Sequence, residues 1–515
     1  MPPCDSGGDP STQMRSNAID FNDLLKGANL LVAGLLVFAF SETDGNEFVD
    51  FETICLAILL CVQTQFALLF ERRRRDPFVI LLAFDMIFFF AFRIFTLTLL
   101  PFSIVFDRYQ FDVRDSNYAL IFILVANTAI YVGLYVGGNG RIPAINSAGW
   151  RAQSPARVVF LMIVALIFAY FSGGYWNQDT IPRALTVLVI FLAPSITILM
   201  TLSYYLLFRK SLSKKFAVSI ATLIVVDAAI HTLMGSRGAV LVIVQNVMIV
   251  SLAIMGQIKL SRRLVLAGVA VLPAVVAILV GTFVISTYNR GAKDSGETLE
   301  LGRAIELARD SSSELPAGGD LDVVLAPIAA RAGYFDFSAE VIAHRAEYST
   351  VLNVSSYAKS IVDNLLTPGF DVYDQPKISN ALRFIYQGLG TPSKEWVSAD
   401  NYQSDQLGIY GEFYGLFGYA CLPLLLVVAF WFRRAYARLT SRGPFGLTMK
   451  RAIVLFVFVW TVDSYGIDWT ILEALPLIVA MFIYAPFFAS KPVAGTDFVA
   501  PPGPDMDSQA DSHAI

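Results

Sequence analysis

Arginine at the depth of lipid headgroups is the residue type that holds phosphate, because its planar guanidinium bonds phosphate oxygens in pairs. Arg237 stands in a Gly-Ser-Arg-Gly turn (235–238) between two apolar stretches. The flanking glycines permit a sharp reversal and close approach. The turn therefore presents a guanidinium where a lipid diphosphate would lie. The alternative is an ordinary arginine that runs its apolar stem along lipid to reach water. Further arginines follow in one long polar segment, Arg290, Arg331, Arg345 and Arg383. The same segment holds His344, in Ala-His-Arg-Ala-Glu-Tyr-Ser, as a solvated structural side chain or a proton carrier. Residues 398–419 crowd aromatics with acids, including Asp400, Asp405, Tyr410, Glu412 and Tyr414. Tyrosines at a membrane interface are often anchors. Beside acids they also stack on sugar rings and bond sugar hydroxyls.

A second set of charges lies inside the apolar stretches, where burial in lipid costs at least ~2.5–3.5 kcal/mol. Asp85 and Arg93 are eight residues apart and roughly on one helix face, so they are expected to form an ion pair that supports packing. Asp227 and His231 stand at i, i+4 and are expected to meet. Asp463, Asp468 and Glu473 gather near the ends of the last two apolar stretches. Nucleotide and zinc chemistry lack their motifs: there is no Walker A sequence, no GxGxxG after a strand, no HExxH and no GxSxG. No DxD-like cluster offers a metal to a nucleotide sugar. No cofactor and no metal is expected.

The elements that must position these residues follow from composition. The chain has 515 residues, of which 56% are hydrophobic and 16% charged, with a mean hydropathy of +0.59. A soluble domain is typically ~45–50% apolar and ~25% charged, and single cores stop growing near ~250–300 residues. A soluble enzyme and a disordered scaffold are excluded, which leaves an all-α, multi-spanning membrane protein. A formal net charge of −4 gives no reason to expect nucleic acid. The four cysteines form no disulfide framework and no CxxC motif. The first twenty residues are polar, unlike a cleaved signal peptide.

Twelve stretches approach the ~20 apolar residues that a bilayer crossing needs. They lie near 23–40, 51–70, 77–100, 118–137, 158–174, 184–208, 216–234, 238–257, 264–286, 412–432, 452–468 and 470–489. With the N-terminus in the cytoplasm, the short inner loops 71–76, 138–157, 209–215, 257–263 and 433–451 hold 4, 3, 4, 3 and 6 basic residues, 20 in all. The short outer loops hold 4. Lys and Arg gather on the cytoplasmic side, so this orientation and an even count are expected, with both termini inside. The division is then an N-terminal tail (1–22), nine helices (23–286), a large outer loop (287–411), three helices (412–489) and a disordered, Pro-rich cytoplasmic tail (490–515). The loop carries 17 acidic and 10 basic residues. Its segments 358–366 and 378–389 have helical spacing, so a small helical cap is expected.

This layout resembles the bacterial O-antigen and exopolysaccharide repeat-unit polymerases, the Wzy-type membrane proteins, over most of the chain. Two local matches carry the likeness. One is the turn 235–238 followed by an apolar helix, Gly-Ser-Arg-Gly-Ala-Val-Leu-Val-Ile-Val-Gln. The other is the loop exit, where the family tends to show E-x-Y-x-N-F-G-x-x-G. Here Glu412, Tyr414, Phe417 and Gly418 match, while Leu416 replaces the Asn and Cys421 the second Gly. The preceding segment 365–377 is similar to the family's proline-containing turn.

The resemblance implies a metal-independent glycosyl transfer at the periplasmic face of the bacterial inner membrane, in O-antigen, capsule or exopolysaccharide synthesis. A glycan on undecaprenyl diphosphate passes as a whole to the next lipid-linked repeat unit. The leaving diphosphate needs fixed positive charge, with Arg237 the first candidate and Arg290 the second. The attacking hydroxyl needs a general base; His344, Asp405 and Glu412 are candidates, in no fixed order. Arg331, Arg345, Asp400, Tyr410 and Tyr414 would contact substrate. The implied partners are the lipid-linked oligosaccharide, membrane lipids, a chain-length-regulating membrane protein and a flippase. The rival readings are an O-antigen ligase, a repeat-unit flippase or other transporter, and a structural membrane protein.

Overall fold

The computed structural model describes residues 18–74, 76–100, 111–138, 142–171, 194–233, 239–256, 258–263, 265–267, 333–365, 372–373, 381–382, 408–463, 467–488 and 490–492, with 270, 281, 285, 289, 303, 306 and 378 as isolated positions. Among these residues the chain is mostly helical. In chain order the helices are α1 (Phe21–Ala39), α2 (Phe51–Arg74), α3 (Pro77–Leu99), α4 (Val113–Gly137), α5 (Pro155–Phe171), α6 (Pro194–Phe208), α7 (Lys214–Leu233) and α8 (Ala239–Met255). From the long loop come α9 (Tyr334–Ala343), a single turn Arg345–Tyr348, and α10 (Val354–Leu365). The chain closes with α11 (Gly408–Phe417), α12 (Cys421–Arg438), α13 (Pro444–Asp463) and α14 (Ile467–Tyr484).

Among the described residues, seven stretches are long and apolar enough to cross a membrane: Phe21–Glu42, Phe51–Glu71, Pro77–Leu99, Val113–Gly137, Lys214–Leu233, Gly408–Arg438 and Pro444–Val462. Shorter apolar helices stand at Pro155–Ile167, Ile196–Phe208, Ile243–Met255 and Ala474–Tyr484, where four more of the expected stretches lie. The expected stretch 264–286 lies outside the described residues apart from isolated positions. Large apolar side chains face outward along these helices, among them Phe38, Phe70, Trp431 and Phe482. Such a surface is stable only against lipid.

Local sequence accounts for the helix starts. Asp20 accepts from the Asn22 amide and Asp76 from the Phe78 amide, each at 3.1 Å, and Pro77 follows Asp76 at a position that needs no N–H donor. Asp112 and Asp115 form a reciprocal capping box at the start of α4. In α3 the segment Met86–Ala91 widens to a π-helix between two α-helical parts. The tightest helix pair is α4 with α12. A Cβ at Gly133 would run into the Leu426 carbonyl oxygen, and one at Gly137 would lie 2.6 Å from that of Phe430. The Gly-x-x-x-Gly spacing thus lets the two backbones touch.

The loops meet at two ends of the bundle. At one end Asp76 pairs with Arg433, Arg451 donates to the Pro143 carbonyl, Ser147 to that of Leu207, and the Ile145 amide to Ile254. Two short strand pairs join there. Strand β1 (Ala18–Asp20) runs antiparallel to β3 (Lys259–Ser261), and β2 (Trp150–Ala152) to β4 (Ser490–Pro492). Four of the five basic loops have residues at this end, and the last turn of α6, which leads into the fifth, joins them through Leu207. At the other end Asn46 donates to the carbonyls of Leu97 and Thr98, Thr53 to Asn117, Arg93 to Asp336, and the Ile467 amide to Glu412. Described residues of the long loop add a small core of their own there, with Phe337, Val341, Tyr348, Leu352 and Leu382.

Candidate functional site

The site is assembled at the end away from the basic loops, where α9 packs between α4 and α11. Its anchor is a bidentate ion pair. Arg93 Nε lies 3.0 Å from Asp336 Oδ1 and Arg93 Nη2 2.6 Å from Oδ2. Both side chains are buried, at 0% and 1% exposure. A fork-on-fork bond of this kind fixes angle as well as distance, so it pins α9 to α3. The expected partner was Asp85, and this is a correction. Eight residues of helix rise about 12 Å, too far for contact along one helix axis. Asp85 instead lies buried within electrostatic reach of the Tyr131 and Tyr410 hydroxyls.

The Glu-x-Tyr segment forms α11, which breaks from α12 at a 3₁₀ turn, Gly418–Ala420. Gly418 has φ +56°, a left-handed conformation that favours glycine. The helix end this exposes is capped from the loop. Arg345 Nε donates to the carbonyls of Tyr414 at 3.0 Å and Gly415 at 3.1 Å. A cation there also complements the negative end of the helix dipole. Arg345 is itself solvent-exposed. It is therefore both a cap and a positive charge at the surface. At Gly415 a Cβ would meet Leu352 Cδ1 at 2.5 Å, so α11 is fitted closely to the loop core.

Beside Arg345 lies an aromatic group. The Tyr414 and Tyr118 hydroxyls are 3.3 Å apart, and the Tyr414 ring meets Phe122 and Tyr419 edge-on at centroid distances of 4.7 and 5.6 Å. Tyr118 and Tyr419 are exposed, at 38% and 55%. Their hydroxyls and ring faces suit a polyol that needs both stacking and hydrogen bonds. Next to Arg345, His344 ends α9 and places Nδ1 3.7 Å from Glu347 Oε1. Its Nε2 is enclosed and makes no hydrogen bond.

Other expected site residues have different surroundings. Glu412 is fully buried, and its Oε1 accepts from the Ile467 amide at 2.7 Å. It caps the start of α14 and holds α11 to it, which is a positioning role. Tyr410, expected to contact substrate, is also fully buried. Its hydroxyl reaches Asn127 Oδ1 at 3.3 Å and Met86 Sδ at 3.7 Å. The line continues from Asn127 to Gln63 at 2.8 Å and from Gln63 to Thr128 at 2.6 Å. Asp227 and His231 do meet, with Nδ1 3.3 Å from Oδ1 and 2.9 Å from the Asp227 carbonyl oxygen.

Arg237, Arg290, Arg331, Arg383, Asp400 and Asp405 lie outside the described residues, as do the side chains of Asp463, Asp468 and Glu473. Sequence reading missed Asp336, Tyr118 and Tyr419. Asp336 sits in Tyr-Phe-Asp-Phe, and an acid flanked by aromatics in a polar loop is a signal of burial against the membrane part. Tyr118 and Tyr419 carried no such signal. Among the described residues no three His, Cys, Asp or Glu side chains gather to hold a metal ion. No family model, curated protein or solved structure matches the chain significantly.

Proposed function

We propose that the chain is a membrane glycosyltransferase that joins oligosaccharide repeat units carried on undecaprenyl diphosphate. The observation that carries this reading is the union of the Glu-x-Tyr helix with the loop. Arg345 caps α11 at Tyr414, beside the exposed tyrosines 118 and 419 and next to His344. A surface guanidinium, sugar-sized aromatic faces and a titratable ring thus lie within one patch. The orientation that places this patch outside the cytoplasm is supported by the basic loops, which join at the opposite end. The pairing of β1 with β3 and of β2 with β4 supports an even number of crossings between the partners, the parity of twelve helices with both termini inside. We take the membrane to be the bacterial inner membrane.

In the reaction, a hydroxyl on the acceptor repeat unit gives its proton to a base and attacks the anomeric carbon of the lipid-linked chain. The bond from that carbon to the diphosphate oxygen breaks, and undecaprenyl diphosphate leaves with the electron pair. Arg237 and Arg290 stabilise the leaving charge. Asn289, adjacent in sequence to Arg290, donates to the carbonyl of Leu233, which precedes Arg237 by four residues, at 2.7 Å. The base is His344 or Asp405; the burial of Glu412 argues for support instead. Arg331, Asp400 and Tyr414 contribute to acceptor binding, and Tyr410 supports them from the core.

A transporter is the second reading, favoured by the buried polar line from Tyr410 through Asn127 to Gln63. Deletion of the gene followed by glycan analysis separates these readings. Loss of long chains with single repeat units still attached is the result expected of a polymerase. Loss of all transfer to the lipid core points to a ligase, and lipid-linked units trapped in the cytoplasm point to a flippase. In the complemented strain, Arg237→Ala is expected to abolish long chains without loss of membrane insertion. Normal chain length in that variant contradicts the role given to Arg237.

A further inference from the structure

Helix α10, from the long loop, has apolar side chains on two sides. One side belongs to the loop's own core, where Tyr357 is buried and Ser360 fully enclosed. Roughly opposite, Val354, Ala358 and Val362 stand at i, i+4 and i+8 on one face. All three are exposed, Val354 at 63%. Asp363 extends this face. Its Oδ1 accepts from the amides of Val372 and Tyr373, each at 2.9 Å, which holds those residues beside the end of the helix. Their side chains are 58% and 52% exposed. The outer face of a water-bathed helix is expected to be polar. An apolar one marks a surface that something covers.

Two observations identify the cover as lipid. The first is continuity. Helix α10 packs on α14, and Ile467 at the start of α14 joins the loop core. Ile471, one turn or about 6 Å further on, is already exposed, and Leu475 and Ile478 follow it. The lipid-facing surface of α14 thus begins one turn from the core that carries α10. The second is composition. The long loop is acidic as a whole, yet residues 354–362 hold one lysine and no acid. That lysine, Lys359, has its Nζ 6.0 Å from the centroid of the Tyr373 ring. A lysine and a tyrosine beside aliphatic side chains suit a membrane interface, where ammonium and phenol reach headgroups while the valines face acyl chains. We propose that α10, with Val372 and Tyr373, is an interfacial anchor bedded in the phospholipid leaflet at the loop end of the bundle. Val354, Val362 and Val372 enter the upper acyl region, and Lys359 and Tyr373 meet the phosphates. The anchor holds the arginine–tyrosine patch at headgroup height. It does not depend on the glycosyl-transfer reading, because it concerns residues given no part in that reaction.

The test uses the full-length protein in liposomes of phosphatidylcholine and phosphatidylglycerol, with a nitroxide attached at Val362→Cys or, separately, at Val354→Cys. Cys4 and Cys55 are replaced by serine in both, while Cys61 and Cys421 are buried. The same protein without the introduced cysteine is the labelling blank. Collision of the nitroxide with oxygen, which concentrates in lipid, is compared with collision with a nickel chelate, which stays in water. Both labels are expected to collide several-fold more with oxygen. Two positions keep the result readable should one variant fail to fold. At either position of a folded protein, more collision with the chelate than with oxygen places the face in water and overturns the proposal. Low collision with both reagents places the face against protein, a partner or a second copy, and overturns it as well.

Discussion

Arg93 and Asp336 are 243 positions apart in sequence and form one fully buried bidentate pair. Removing one member leaves a charge in a medium that cannot solvate it. Arg93→Met should therefore destabilise the folded protein by about 3–5 kcal/mol. The double variant Arg93→Met with Asp336→Leu should recover a good part of that loss, since well-packed apolar residues often replace a buried pair at little cost. Melting in detergent checks both; a double variant as unstable as the single one contradicts the pairing account. The sequence revealed the expense of Arg93 but not its partner. A charge buried in lipid must find a counter-charge, yet nothing local says whether it comes from the same helix or from a loop. Glu412 and Tyr410 were legible as belonging to this region. Their burial was not, because it depends on how α11 turns against α4 and α14.

Among the elements, α4 and α12 carry the closest packing. Gly133 and Gly137 allow it, and no other residue type fits without shifting a backbone. Gly133→Val is expected to separate the helices and sharply reduce the yield of monodisperse protein. Gly34→Ala in α1, where an added Cβ meets nothing within 4 Å, serves as the control. Size-exclusion profiles of the two variants decide this, and a normal Gly133→Val profile would contradict it. The helices themselves were largely readable, because a run of apolar residues long enough to span lipid has few other stable forms. The break at Gly418 was less so. A Glu-x-Tyr helix continuous with α12 satisfies the same hydropathy, and only the Arg345 cap and the positive φ at Gly418 separate the two.

For the whole molecule, the sorting of charge read from the sequence reappears as two stitched ends. The basic loops bond to one another at one end, and α9, α11 and their arginine–tyrosine patch lie at the other. The long loop's acidic, polar composition could be read directly, but not the way α9 enters the bundle, since that depends on tertiary partners distant in sequence. The central claim is that this patch serves a glycosyl transfer from one lipid diphosphate to another lipid-linked unit. The most direct measurement supplies the purified full-length protein in liposomes with undecaprenyl-diphosphate-linked repeat units and no nucleotide. The expected result is a ladder of products two or more units long, with one undecaprenyl diphosphate released for each unit joined. Repeat units that stay single on intact lipid carriers, in the presence of folded protein, would contradict it.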